Sequence, residues 1–260
     1  LKKQFLFALL ILCFVGGNSS TGELRKNGLK VIVIDAGHGG KDPGCVAADK
    51  HTYEKDVALD IALKLRKLLE DSLDDIKVVL TRDSDRFIPL WERADIANKN
   101  NADLFISVHC NAHRNRSTHG TETYVMGIHK TQGNLDVSKR ENQSILMEED
   151  HKERYDDFDP ESDESHILLS LFQSAYRKQS LDLAASFQSK IELNKIRKNL
   201  GVKEAGFVVL WRTTMPSILV ETGFLSNEND KAYLTSSKGK KKLAHSIFES
   251  ILDLKKSWES

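Results

Sequence analysis

Short β-branched runs alternate with stretches of helical period along most of the chain. Residues 31–35 are almost wholly apolar and run into Gly37, Gly39 and Gly40, which predicts a buried strand entering a glycine-rich loop. Residues 54–70 place Val57, Ile61, Leu65, Leu68 and Leu69 at helical spacing, with Thr52 as a candidate cap. Strands are predicted at 76–80, 104–108 and 121–126, and a helix at 89–99 with Pro89 in its first turn. Residues 181–198 read as an amphipathic helix carrying Leu183, Phe187, Ile191 and Ile196 on one side. Two more strands are predicted at 206–210 and 217–220, and a closing helix near 238–256. This alternation predicts a single α/β domain with a twisted, mostly parallel sheet of about six strands flanked by helices.

Two stretches break the rhythm. In residues 1–20, Lys2 and Lys3 precede an apolar run over 5–15, followed by Gly16, Gly17, Asn18, Ser19 and Ser20. A basic start, a short apolar stretch and small residues beyond it predict a secretory signal, with Val15 and Gly17 suited to a cleavage site. The chain is therefore expected to be exported, to the periplasm or the cell envelope, with residues 21–260 as the working domain. The apolar run is about half of what a membrane-spanning helix needs. The second break is an insert over about 128–179, whose residues 148–164 are rich in acids and poor in apolar groups. A connection of that length is functional or unstructured more often than incidental.

Composition narrows the function classes. Lysine plus arginine equals aspartate plus glutamate at 38 each, so no basic excess points to nucleic acid. Beyond the leader there are two cysteines, Cys45 and Cys110, each near a candidate metal ligand. Two free thiols is the simpler reading, since nothing in the spacing places them together.

Three polar residues follow apolar strands: His38 after the first, His109 after Val108, and Glu221 after Val220. In a parallel sheet the carboxyl ends of the strands share one edge, so side chains distant in sequence can converge there. Glu54 opens the helix after the glycine loop and begins near the same edge. Two histidines and a carboxylate are a ligand set for catalytic zinc, which brings the pKa of water to around 7. A further carboxylate can then carry the proton to a leaving amine. Each residue also has an ordinary alternative: a loop histidine, a helix-start acid favoured by the macrodipole, or an ion pair between Glu221 and Arg212.

The chain resembles the zinc-dependent N-acetylmuramoyl-L-alanine amidases of the amidase 3 family. The matching blocks are 33–44 (VIDAGHGGKDPG), 53–59 (YEKDVAL), 80–83 (LTRD), 93–98 (RADIAN), 107–112 (SVHCNA) and 215–227 (MPSILVETGFLSN). Six blocks in the family's order, from residue 31 to about 255, are far more specific than any one of them. The resemblance implies that His38, Glu54 and His109 hold one zinc ion and that Glu221 is the catalytic base and acid. It implies peptidoglycan as the substrate, cut between N-acetylmuramic acid and the L-alanine of the stem peptide. Cys110 stands where a small residue is expected.

Family members acting at the division septum carry an extra segment at the place of this insert, with a helix that covers the site and supplies a carboxylate to the metal. By that resemblance a helix is expected over 142–155, with Glu148, Glu149 and Glu153 as candidate blocking groups and a protein activator as the releasing partner. Ile167, Leu168, Leu171 and Phe172 are expected to pack the far end of the insert on the body, and deleting 142–165 is expected to raise activity. Rival functions are a zinc-dependent deacetylase of wall sugars and a non-catalytic peptidoglycan-binding module. A serine hydrolase is weaker, because no Gly-x-Ser-x-Gly elbow is present.

Overall fold

Six strands form one twisted sheet in the order β2-β1-β3-β6-β4-β5. The strands are β1 (Val31–Ala36), β2 (Lys77–Leu80), β3 (Leu104–Asn111), β4 (Thr121–Met126), β5 (Asn199–Ala205) and β6 (Ser217–Phe224). The computed structural model describes residues 28–172 and 175–259, so the leader expected over 1–20 lies outside the described residues. β2, β1, β3 and β6 run parallel, β4 is antiparallel to β6, and β5 is parallel to β4.

Alternation along the strands builds two cores. Ile32, Ile34, Ile106, Val108 and Val220 face a layer made by α1 (Glu54–Ser72), α6 (Arg177–Leu193) and α9 (Ser237–Glu259). Val33, Phe105, Tyr124 and Leu219 face α2 (Leu90–Lys99), α7 (Val208–Trp211) and the insert. The insert holds α3 (Gln132–Asn142), a 3-10 turn over Gln143–Met147, α4 (His151–Arg154) and α5 (Asp163–Ser170); α8 (Glu228–Thr235) follows β6. No helix among the described residues is long and apolar enough to cross a membrane.

Several expectations need correction. The apolar run at 206–210 is not a strand: residues Val208–Trp211 form the short helix α7, buried beneath the insert. The strand there is β5, a half-exposed edge strand starting at Asn199. Thr52 does not cap α1; its hydroxyl donates to Asp49, and Tyr53 is the N-cap without a side-chain bond. Ile167, Leu168, Leu171 and Phe172 are exposed, because the α5 face turned inward carries His166, Leu169 and Ser170.

The reversed direction of β4 fixes where the insert begins. β6 ends at the edge where the parallel strands have their carboxyl ends, and β4 starts there, with Glu122 opposite Glu221. β4 therefore finishes at the far edge, where Gly127 N–H donates to the Ala205 carbonyl at the end of β5. The chain rejoins the body close by, where Arg177 at the start of α6 pairs with Glu204 at 2.7 Å. Between these points α3 climbs the sheet face, about 16 Å for eleven residues.

Candidate active site

The three strand-end residues and Glu54 meet at one place on the insert side of the sheet. His109 and Glu221 are direct partners in the β3–β6 ladder, so their side chains stand next to each other on the same face. His38 lies in the loop after β1, in the left-handed region at φ 59°, an unusual backbone state for a residue with a Cβ. Gly44, at φ 64°, passes so near that a Cβ there would lie 2.5 Å from the His38 ring and 2.6 Å from Glu54. Only glycine satisfies both demands.

Two buried arginines hold this loop. Arg82, just beyond β2, donates to the carbonyls of Ala36, Gly37 and Lys55 at 2.7–2.9 Å. Arg93 on α2 donates to the carbonyls of Ala36 and His38 and pairs with Asp35 at 2.8 Å. Burial pushes the Asp35 carboxyl up, but Arg93, Ser107 and Thr81 outweigh it and hold it below the usual carboxylate range.

The inner group comprises His38, Glu54, His109 and Glu141, whose ligand atoms all lie within 4.8 Å of one another. Glu54 Oε2 is 3.2 Å from His38 Nε2, and Glu54 Oε1 is 3.0 Å from His109 Nδ1. The Glu54 oxygens also accept from the backbone N–H groups of Cys45 and Cys110, both at 2.8 Å. Outer partners orient the rings. His38 Nδ1 donates to Asp42 at 2.8 Å, leaving the Nε2 lone pair for the centre. Ser107 donates to Asp35, so its oxygen accepts from His109 Nε2 at 3.1 Å, which leaves Nδ1 facing the same centre.

The carboxylates at the centre draw positive charge to it. Burial alone would lower His109, yet the Glu141 and Glu54 carboxylates push it up to about 9, and His38 is likewise driven well up against burial by Glu54 and its other carboxylate neighbours. Two buried carboxylates and two inward-facing imidazole nitrogens fit a tetrahedral dication, which would cancel the two negative charges. His38 Nε2 and Glu141 Oε2 are buried and lie 3.1 Å apart, turned to the same centre.

Glu221 is fully buried, and neither of its oxygens has a hydrogen-bond partner among the described residues. Burial, then the charges of Glu141 and Glu54, push its carboxyl well above the usual range, opposed by Arg140.

Glu141 was not anticipated from the sequence; it lies one residue before the segment expected to block the site. It sits on the last turn of α3, 3.1 Å from His38 Nε2 and 3.0 Å from His109 Nδ1. The acids singled out lie elsewhere. Glu148 accepts from Leu90 N–H and the Tyr155 hydroxyl, while Glu149 and Glu153 are exposed on the surface. Residues 142–155 do not form one helix; a 3-10 turn and α4 occupy that span. Thr131, whose hydroxyl accepts from Asn134 N–H as the N-cap of α3, was the available signal for a helix beginning at Gln132, the helix that carries Glu141. Cys45 and Cys110 are buried free thiols, raised well above the ordinary range by burial and by Glu54. Cys110 points to the opposite core from His109 and contacts the Thr222 hydroxyl at 3.2 Å.

Residues 32–253 match the family described as N-acetylmuramoyl-L-alanine amidase. The chain is 37% identical over 227 residues to N-acetylmuramoyl-L-alanine amidase AmiC of Escherichia coli O6:H1, covering 85% of this chain and 52% of that one. It thus spans about half the length of that relative. An N-acetylmuramoyl-L-alanine amidase from Clostridium difficile 630 superposes with a TM-score of 0.64 at 29% identity, over 87% of this chain and 96% of that one. The CwlD amidase from Clostridioides difficile, solved in complex with the GerS lipoprotein, superposes with a TM-score of 0.63 at 27% identity, over 86% and 98%.

Proposed function

Because the chain belongs to the N-acetylmuramoyl-L-alanine amidase family, we propose that it hydrolyses the amide bond between N-acetylmuramic acid and L-alanine in peptidoglycan, with one zinc ion held by His38, Glu54 and His109. The observation that carries this reading is the meeting of those three side chains beside Glu221, the ladder partner of His109. Zinc, when bound, supplies Lewis-acid polarisation and brings the pKa of water to around 7.

The protein's own groups do the rest. A Glu221 oxygen takes the proton of the attacking water and delivers it to the nitrogen of the departing L-alanine. Its buried setting suits that double duty, because burial and the neighbouring carboxylates raise its affinity for the proton it must hold between the two transfers. Asp42 and Ser107 hold the two imidazoles in the tautomers the centre needs. A non-catalytic binding module would have no use for Glu221.

The present arrangement is a closed form. Glu141, in contact with both imidazoles, would help to hold the ion and would stand in the way of the scissile amide, and the end of α3 and the turn after it are fastened there by several contacts. Ser144 donates to Asp42 at 2.7 Å, and Asn142 bonds both the Gly206 carbonyl and Val208 N–H. A protein activator that draws α3 away opens the site, after export to the periplasm or cell envelope. The GerS lipoprotein bound to the CwlD amidase is a precedent for a protein partner on this fold.

Digestion of purified sacculi with and without a chelator, followed by mass analysis, tests the reaction. Stem peptides with a free L-alanine amino terminus, lost on chelation and restored by zinc, are the expected products. Released acetate would replace the amidase with a wall-sugar deacetylase.

A further inference from the structure

Arg140 pairs with Glu141 of the His–Glu centre at 3.0 Å and also covers acceptor groups outside that centre. Asn111, fully buried at the end of β3, donates its amide nitrogen to Glu122, whose other oxygen takes the Lys203 ammonium. A carboxylate ion-paired in this way only accepts, so the Asn111 amide cannot turn over, and its Oδ1 is fixed toward the site. That oxygen accepts from Arg140 Nη2 at 3.0 Å, while Arg140 Nη1 donates to the Ala112 carbonyl at 3.2 Å. The same Nη2 is 3.8 Å from Glu221 Oε1. Besides Glu141, one guanidinium therefore covers a row of three further acceptors: Glu221, Asn111 Oδ1 and the Ala112 carbonyl.

A row of acceptors selects N–H donors. Donors and acceptors are unevenly placed next to the scissile bond of a muramoyl peptide: the lactyl unit itself offers only oxygens, with the sugar's acetamido N–H and hydroxyls further off, whereas the stem-peptide side offers successive peptide N–H groups. The row starts at Glu221, which must reach the leaving nitrogen, so the donors next in line are backbone N–H groups and not a distant side-chain ammonium. We propose that Asn111 Oδ1 and the Ala112 carbonyl form the stem-peptide subsite, receiving backbone N–H groups of the leaving peptide, and that Arg140 is a pseudosubstrate for that subsite while Glu141 occupies the centre. Glu122 is a positioning residue that acts through Asn111. This inference rests on the amidase reading.

The test is a binding cycle on the full chain carrying Arg140→Ala, Glu141→Ala and Glu221→Gln, which opens the site and prevents turnover. The probe is a soluble N-acetylmuramoyl dipeptide, compared with versions methylated in turn at each peptide nitrogen. Methylation at one nitrogen should weaken binding about 3- to 10-fold, the range of one lost hydrogen bond. Adding Asn111→Leu should abolish that discrimination, because the two losses are one interaction. Adding Glu122→Gln, which lets the amide turn, should reduce the discrimination while the fold and its melting temperature persist. If Asn111→Leu fails to fold, the methylated ligands still decide: binding indifferent to methylation at every nitrogen overturns the subsite, as does discrimination undiminished by Asn111→Leu. An open enzyme with Glu221 restored that binds no muramoyl dipeptide and leaves sacculi intact removes the amidase reading itself, and this inference with it.

Discussion

Glu141 Oε2 lies 3.0 Å from His109 Nδ1, so the last turn of α3 stands at the centre where His38, Glu54 and His109 converge. A charge-assisted contact of this kind contributes about 1.5–3 kcal/mol. Glu141→Gln should therefore raise the open population, and with it the rate of solubilising purified sacculi, by roughly 10- to 100-fold. A folded Glu141→Gln enzyme no faster than the wild type would mean that α3 does not restrain activity.

Glu148 supports the insert from a different direction, bonding Leu90 N–H at 2.9 Å and the Tyr155 hydroxyl at 2.9 Å. Glu148→Ala leaves two donors unpaired, at a cost of about 1–3 kcal/mol each, confined to the local fold. Hydrogen exchange over 143–158 should quicken while the sheet stays protected. The gain in sacculus cleavage should stay well below that of Glu141→Gln, and an equal gain would return the blocking role to Glu148.

Glu221 stands apart from the His–Glu centre yet beside His109 in the ladder, which separates its role from metal holding. Glu221→Ala should keep one zinc per chain and lose about 10²- to 10⁴-fold in turnover, the range for removing a general acid–base. His38→Ala should lose both metal and turnover. Full activity in Glu221→Ala would end the proposed proton transfer.

Asp35 carries the Arg93 pair beneath the site at 2.8 Å. Removing one partner of a buried pair costs about 3–5 kcal/mol, so Asp35→Asn should lower urea stability by that amount at neutral pH. The folded carboxyl lies below its ordinary value of 3.8. Its contribution is thus present above that pH and is lost as pH falls through the folded value. The wild type should lose stability in that acid window more steeply than Asp35→Asn, as followed by urea unfolding at successive pH values.

Much of the fold could be read from the chain because strand residues report their burial directly. Val33, Phe105 and Leu219 alternate with Ile34, Ile106 and Val220, and both sets are apolar because both faces are covered. The convergence of His38, His109 and Glu221 followed from their places after three such strands. Other parts were illegible for physical reasons. The buried residues of α3 are Asn134, Leu135, Val137, Ser138, Glu141 and Asn142, so only two are apolar and no continuous apolar stripe marks its inward face. The run at 206–210 is uniformly apolar, and periodicity cannot tell a buried strand from a buried helical turn. Glu141 gains its importance only from the 3.0 Å contact with His109, which no spacing along the chain encodes.

The reversed strand β4 sends the chain out at the far edge of the sheet, and the pair Arg177–Glu204 receives it back at nearly the same point. On the proposed reading this excursion works as a flap whose two ends lie together. Lifting it parts no strand from its neighbour, but it uncovers the apolar face that Val137, Ile145, Tyr155 and Leu169 share with the sheet and α7. The force needed to arm the enzyme would then include the cost of wetting that face, so substitutions at those four positions would tune it.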